Sequence, residues 1–540
     1  MTTKMPTTMT GGEAAVLSLH KHGVETVFGL PGVQNDWLYN AFYDHREKFR
    51  IIHTRHEQGA AYMGLGHALA SDAPTVFNVV PGPGLLNASA AMSTAYALNA
   101  KLFCLTGQIN SRAIGKDWGE LHEINDQLEI IRTLTKWAGR ARAPAEIPAM
   151  IGEGFAQMTS GRPRPVGLEI PMDVLAAETE IDLDAPLSAP AEPALDEDAV
   201  EAAAKLLGGA QAPLIFVGSG AQGASALVRR LAEELQAPVV GYRTGMGVAD
   251  ARSYLSLHQP AAKELWGKAD VVLAIGSNMR VPARKWIKAH APQIIRIDVD
   301  PDSHEKFFTP AVAVTARAER ALPELLTRLE RHNSVRASRE EELLEVKAAW
   351  AKRSAVLEPQ ITYLNIIREE LGEDGIFVDE LTQVGFASRI VYPVYNPRTF
   401  ISTGYQGTLG YGFPTALGVK VAKPDTPVIS ITGDGGFMFA VQELATAVQH
   451  KIPLVTVLFN NNRYGNVQQM QKANYGGRVI ATDLVNPDFQ KMVESYGAQA
   501  LMAKTPHELR AAIRRGLATS DVPTVIEVPF DEMPSVDQFR

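Results

Sequence analysis

Two short apolar runs, each ending in a cluster of polar residues, constrain this chain more than any other feature. The first, Val428-Ile429-Ser430-Ile431-Thr432, runs into Gly433-Asp434-Gly435-Gly436. The second, Leu454 to Phe459, runs into Asn460-Asn461-Asn462. Between them Gln442-Glu443-Leu444-Ala445-Thr446-Ala447 has a helical pattern. Strand, helix, strand in that order predicts a βαβ unit with both polar ends on one edge of a parallel sheet, where open sheets bind ligands. Asp434 and Asn461 stand 27 positions apart, and neighbouring strand ends can place both side-chain oxygens on one hard cation. Magnesium asks for near-octahedral oxygen ligands and usually keeps phosphate oxygens among them. The glycines after Asp434 let a phosphate approach the backbone, and the helix that follows points its positive end at it. Either half alone reads as a tight turn or a polar loop; the two in this order and spacing favour the cation.

The rest of the chain alternates in the same way, which predicts parallel α/β architecture. Strands are expected at Val24–Leu30, Ile51–His53, Thr75–Val80 and Leu102–Thr106, with helices over Asn35–Asp44 and Glu57–Ala70. At about 150 residues per domain, 540 residues suggest three domains. The Ala-, Pro- and acid-rich stretch 176–197 has a linker's composition, and 336–356 reads as a charged connecting helix. The expected domains are 1–185, 190–335 and 357–540, each a doubly wound parallel sheet. A net charge of −8 argues against a nucleic-acid surface. The single cysteine, Cys104, lies in an apolar run and reads as a buried thiol, so no intrachain disulfide forms. No stretch of about 18 uninterrupted apolar residues appears, and the polar start of the chain lacks a signal sequence's apolar segment; a cytoplasmic protein without membrane partners is expected.

Gly433-Asp434-Gly435, a helix, then Asn460-Asn461 resembles the thiamine-diphosphate signature of the enzymes related to acetolactate synthase, benzoylformate decarboxylase and pyruvate decarboxylase. The resemblance covers nearly the whole chain. It implies thiamine diphosphate and Mg2+ as cofactors, with Asp434, Asn461 and the main-chain oxygen of Arg463 on the metal, and Gly433, Gly435, Gly436, Tyr464 and Gly465 completing the motif. Arg55-His56-Glu57-Gln58-Gly59-Ala60 resembles the segment whose glutamate bonds the aminopyrimidine ring. A carboxyl group there favours the imino tautomer that takes the proton from C2, so Glu57 is the candidate; without the other motifs it would read as a carboxylate favoured at a helix start. In Gly407-Thr408-Leu409-Gly410-Tyr411-Gly412, Leu409 stands where the family has a bulky apolar wedge that bends the cofactor, and Gly407 allows close backbone approach. Glu380 to Phe386 aligns with a segment that contacts the diphosphate, which carries Gln383 and Val384 into the site. The implied activity is decarboxylation or carboligation of a 2-oxo acid or related carbonyl compound, in a homodimer or homotetramer whose active sites lie at the subunit interface and take one half from each subunit.

The substrate pocket departs from the best-known members. Val33-Gln34 stands where acetolactate synthases have a glycine, Leu121-His122-Glu123 where they have Phe-Gln-Glu, and Pro282, flanked by Arg280 and Arg284, where they have an arginine for the acceptor. Val33 and Asn78 replace the serine and histidine of benzoylformate decarboxylase, and pyruvate decarboxylase's adjacent histidines are missing. His122 is a candidate proton donor or acceptor, since imidazole titrates near neutrality; it reads equally as a loop or cap histidine. Gln34, Gln108, Gln406 and Gln468 are further candidate pocket residues. The alternatives are a benzoylformate decarboxylase-like enzyme or an acyloin or 1,2-diketone lyase. A different class, a flavin- or nicotinamide-dependent oxidoreductase, rests on Gly218-Ser219-Gly220-Ala221-Gln222-Gly223, a G-x-G-x-x-G turn between strand and helix. The next strand, Pro238 to Tyr242, does not end in the acid that would hold a ribose. In the resembled family this middle domain is Rossmann-like and only some members keep FAD, so FAD is the weaker expectation.

Overall fold

The computed structural model describes residues 7–184 and 192–539. Three six-stranded parallel sheets follow one another along the chain. The first contains Thr26–Gly29, Arg50–His53, Thr75–Val79, Leu102–Gln108, Trp137–Arg140 and Val166–Pro171. The second spans Leu214–Val217 to Val312–Thr315, and the third Ile376–Val378 to Thr524–Pro529. Numbered by appearance within each unit, the first and third sheets share the order 2-1-3-4-6-5, whereas the second runs 3-2-1-4-5-6. The outer units are thus topological copies of each other, and the middle one has the dinucleotide-binding order. In each outer unit the order reverses between strands 1 and 3. That places a ligand crevice beyond Gly29 and Val79 in the first, and beyond Val378 and Gly433 in the third.

The expected strands and helices stand close to where they were placed, with ends moved by at most two residues. The linker expectation needs correction. Met172–Ala176 is helical, and Glu178–Ile181 is a strand paired antiparallel with Thr7–Thr10. A partner some 170 residues away overrides local composition. The part around Pro186 and Pro190 lies outside the described residues. The charged segment is a helix over Glu340–Ser354.

The outer units are locked together by two helices, Glu57–Ser71 and Gly412–Ala422, buried over most of their surface. They cross closely because each carries a glycine at the contact. A β-carbon on Gly66 would lie 1.9 Å from Thr415 O, and one on Gly418 would lie 1.8 Å from Met63 O. The middle unit is fastened to the first by Arg162, whose guanidinium reaches Asp298 and Asp300, each at 2.9 Å.

Candidate active site

The two strands expected to carry the candidate metal ligands are adjacent. Val428–Gly433 and Val455–Asn460 pair in parallel with Gly433 opposite Phe459, so Asp434 and Asn461 emerge side by side from their carboxyl ends. Asp434 is buried at 2% exposure and begins a short helix, Asp434–Met438. Its Oδ2 accepts a hydrogen bond from Asn486 Nδ2 at 2.7 Å. Burial pushes its pKa up, against lowering by Asn486 and by backbone N–H groups. Among the described residues no ion pair reaches it. A buried carboxylate answered only by neutral amides is an arrangement that a cation completes. Asn461 sends its amide nitrogen to Asp531 O at 3.4 Å, leaving its carbonyl oxygen for a ligand role. The carbonyl of Arg463 accepts the N–H of Gly465 at 2.9 Å, while its guanidinium turns away to Asp531. Gly435 is required by Tyr464, whose ring would lie 2.5 Å from a β-carbon there.

Glu380 gathers the remaining cofactor candidates. It follows Ile376–Val378, is wholly buried, and accepts bonds from Gly410 N and Thr432 Oγ1, both at 2.7 Å. A β-carbon on Gly436 would meet its Oε1 at 2.6 Å. One carboxyl group therefore sets the Gly407–Gly412 loop against the Asp434 segment. Burial raises its pKa to about 7. Gly407 has φ +62, the left-handed region that favours glycine, and Leu409 is half-buried beside it. Thr382 caps the helix Gln383–Val391. Gln383 is buried and donates to Gln469 at 2.9 Å. The Val384 side chain is wholly inside the core, so that residue offers the site only its main chain.

Glu57 lies at the other crevice, as the first residue of its helix. Its Oε2 accepts from Asn87 Nδ2 at 3.0 Å, and Gly84 packs beside its Oε1. His122 is brought to the same edge. Its carbonyl would lie 2.4 Å from a β-carbon on Gly82, in the Pro81–Gly84 turn that also faces Glu57. Its ring Nδ1 meets Gln34 Oε1 at 2.8 Å, and Gln34 Nε2 donates to Leu121 O. Gln34 is thus a holder of the His122 loop. Gln108 is buried against Glu169, Gln468 against Thr482 and Asp483, and Gln406 is exposed. Asn78 is buried between Asn35 and Leu105 O, which makes it a strut of the sheet edge. The structure adds Asn486, Asn87 and Glu443, whose partners are distant in sequence. Glu380 and Thr382 had a local signal, an acidic pair and a cap at a strand end.

Family comparisons fit both crevices. The model described as "Thiamine pyrophosphate enzyme, N-terminal TPP binding domain" matches residues 9–130, the central-domain model 200–325, and the "C-terminal TPP binding domain" model 381–528. The chain belongs to the thiamine pyrophosphate enzyme family. It is 34% identical to the probable 2-ketoarginine decarboxylase AruI of Pseudomonas aeruginosa over 96% of this chain and 94% of that one. It is 33% identical to the probable acetolactate synthase large subunit of Methanocaldococcus jannaschii (97% and 92%), and 31% identical to the mitochondrial acetolactate synthase catalytic subunit of Saccharomyces cerevisiae (97% and 81%). The family's two cofactor-binding domains are the two sheets of identical strand order; Asp434 stands at the switch point of the third, and the Glu57 side chain reaches that of the first at Gly84 and Asn87.

The glycine turn in the middle domain of this thiamine pyrophosphate enzyme is closely packed. Gly220 packs on Gly276, with 2.8 Å between a β-carbon on the former and Cα of the latter. The Glu319 carboxylate sits 2.2 Å from where a β-carbon on Gly223 would be, and Lys101, Arg162, Arg317 and Arg398 also line the cavity beside this turn. No helix among the described residues is long and apolar enough to cross a membrane.

Proposed function

We propose that this protein is a thiamine-diphosphate- and Mg2+-dependent enzyme that cleaves the bond next to the carbonyl of a 2-oxo acid. The observation that carries the proposal is the pair of crevices, one ending in Glu57 and the other in Asp434 and Asn461. Asp434, Asn461 Oδ1 and the Arg463 carbonyl would hold magnesium, and the first turn of the Asp434 helix would face the diphosphate. When bound, the cofactor would supply a carbon nucleophile and an electron sink beside the substrate carbonyl. Leu409 would pack against the cofactor, and Glu57 would hold a proton at the pyrimidine ring nitrogen. His122, held by Gln34, stands ready to move a proton at the product carbon.

Exposed apolar side chains surround both half-sites: Val33, Leu86, Trp118 and Leu121 on the Glu57 side, Phe439, Val467 and Ile480 on the other. This supports a homodimer, or a pair of dimers, in which each crevice is completed by the opposite one of its partner. The strand Pro238 to Tyr242 ends without an acid for a ribose, which supports a middle domain without FAD, so purified protein should show no flavin absorption band.

The relatives' names offer two substrate types. Acidic side chains at Asp117, Glu120, Glu123 and Asp126 flank His122, which favours a 2-oxo acid with a cationic tail, such as 2-ketoarginine, over pyruvate. Incubating the protein with the cofactor, Mg2+ and each acid in turn tests this. Aldehyde and carbon dioxide from 2-ketoarginine alone support the reading; acetolactate from pyruvate makes the enzyme a carboligase instead.

A further inference from the structure

Glu443 lies outside the chemistry described so far, yet it is a wholly buried carboxylate of the C-terminal unit. It follows the Asp434 segment and opens the helix Glu443–Gln449. Its Oε2 accepts the backbone N–H of Arg55 at 3.1 Å and the hydroxyl of Thr446 at 2.6 Å. The N–H of His56 also bonds the carboxylate. A β-carbon on Gly59 would lie 2.3 Å from its Oε1 and 2.6 Å from its Cδ. The carboxyl group therefore occupies the N-terminal turn of the helix that begins at Glu57, where its oxygen accepts N–H groups that have no partner within the helix. Two further contacts tie the same segments. Arg55 Nη2 donates to Gln449 Oε1 at 2.9 Å, and the rings of His53 and His450 meet edge-on at 4.9 Å. Among the described residues no ion pair reaches Glu443, so the Thr446 hydroxyl and the N–H groups of this turn are what answer it.

We infer that Glu443 is the positioning residue for Glu57: its carboxylate fixes the turn 55–59 and so sets where the Glu57 carboxyl group meets the pyrimidine ring. The inference rests on the proposed role of Glu57. It also joins the two half-sites within one chain, because the helix Glu443–Gln449 that holds the Glu57 turn follows the Asp434–Met438 helix after a short turn. Gly59 belongs to the device, since any side chain there displaces the carboxylate.

The test uses holoenzyme with thiamine diphosphate and Mg2+ and compares Glu443→Gln, Gly59→Ala and Glu57→Gln with the wild type. Two quantities are read: cofactor affinity by calorimetry, and the rate of hydrogen–deuterium exchange at C2 by acid-quenched NMR. Glu443→Gln keeps the volume and one acceptor oxygen, and Gly59→Ala reaches the same contact from the other side, so either variant carries the test if the other fails to fold. The expected result is exchange slowed about a hundredfold, the scale of a small misplacement of a catalytic group, with cofactor affinity near wild type. Wild-type exchange in the Glu443 and Gly59 variants, with Glu57→Gln slow, overturns the inference alone. An equal loss of affinity and exchange also overturns it, since that is the mark of general structural damage. Wild-type exchange in Glu57→Gln instead removes the proposed role of Glu57.

Discussion

Asn486 donates its side-chain amide to Asp434 Oδ2 at 2.7 Å, and the same nitrogen reaches Asn460 Oδ1 at 3.2 Å and Asn462 Oδ1 at 3.1 Å. One amide thus orients the carboxylate and ties it to the loop that carries Asn461. Partners of this kind around metal ligands contribute about 10- to 100-fold in affinity. Asn486→Ala should raise the Mg2+ concentration needed for half-maximal cofactor binding by about tenfold or more. A magnesium titration followed by cofactor-induced fluorescence quenching measures it; an unchanged midpoint removes Asn486 from the metal site.

Three buried carboxyl groups, those of Glu380, Asp434 and Glu443, have pKa values raised by burial. Each keeps its proton in the folded protein at a pH where the unfolded chain has lost it. The folded state then binds more protons, and stability from these groups falls as pH rises. For Glu380 the window runs from the ordinary 4.5 to about 7. Metal-free Glu380→Gln should lose less thermal stability than wild type across that window, by differential scanning fluorimetry. Added Mg2+ should likewise soften the fall in wild type by stabilising ionised Asp434 and leave Asp434→Asn unaffected.

His122 has φ +69 and is fixed by Gln34 and the Gly82 turn. A positioned acid–base group contributes about a hundredfold or more to a proton-transfer step. His122→Ala should lower kcat on that scale while the cofactor Kd stays unchanged. Steady-state kinetics beside calorimetry checks the split; wild-type kcat makes His122 a loop histidine.

Arg162 is the cation between Asp298 and Asp300 at the junction of the first and middle units, with only 15% of its side chain exposed. Removing one partner of a buried ion pair costs about 3–5 kcal/mol because the remaining charge stays uncompensated. Arg162→Met should lower Tm clearly and leave the Mg2+ midpoint unchanged, since the proposed metal ligands lie on the third sheet.

The sequence revealed those parts of the site that are local. Asp434, Asn461 and Gly435 belong to one strand–turn–helix–strand pattern, and that pattern is how the chain folds there. Glu57 was legible through its resemblance to a known segment and as a helix start. Asn486 and Glu443 were not, because their partners lie 52 and 388 positions away and only the packing of separate elements reveals them. The strand at Glu178–Ile181 was hidden for the same reason, being completed by Thr7–Thr10. The shared strand order of the outer sheets is likewise a property of pairing, which alternating strand and helix signals leave open.

The most direct measurement is thiamine diphosphate binding, titrated with Mg2+, together with carbon dioxide release from a 2-oxo acid, in wild type, Asp434→Ala and Glu57→Gln. Wild type should bind the cofactor only with Mg2+ and release carbon dioxide. Asp434→Ala should lose metal-dependent binding, and Glu57→Gln should bind yet turn over at least about a hundredfold more slowly. Metal-dependent binding and turnover that persist in Asp434→Ala would contradict the account.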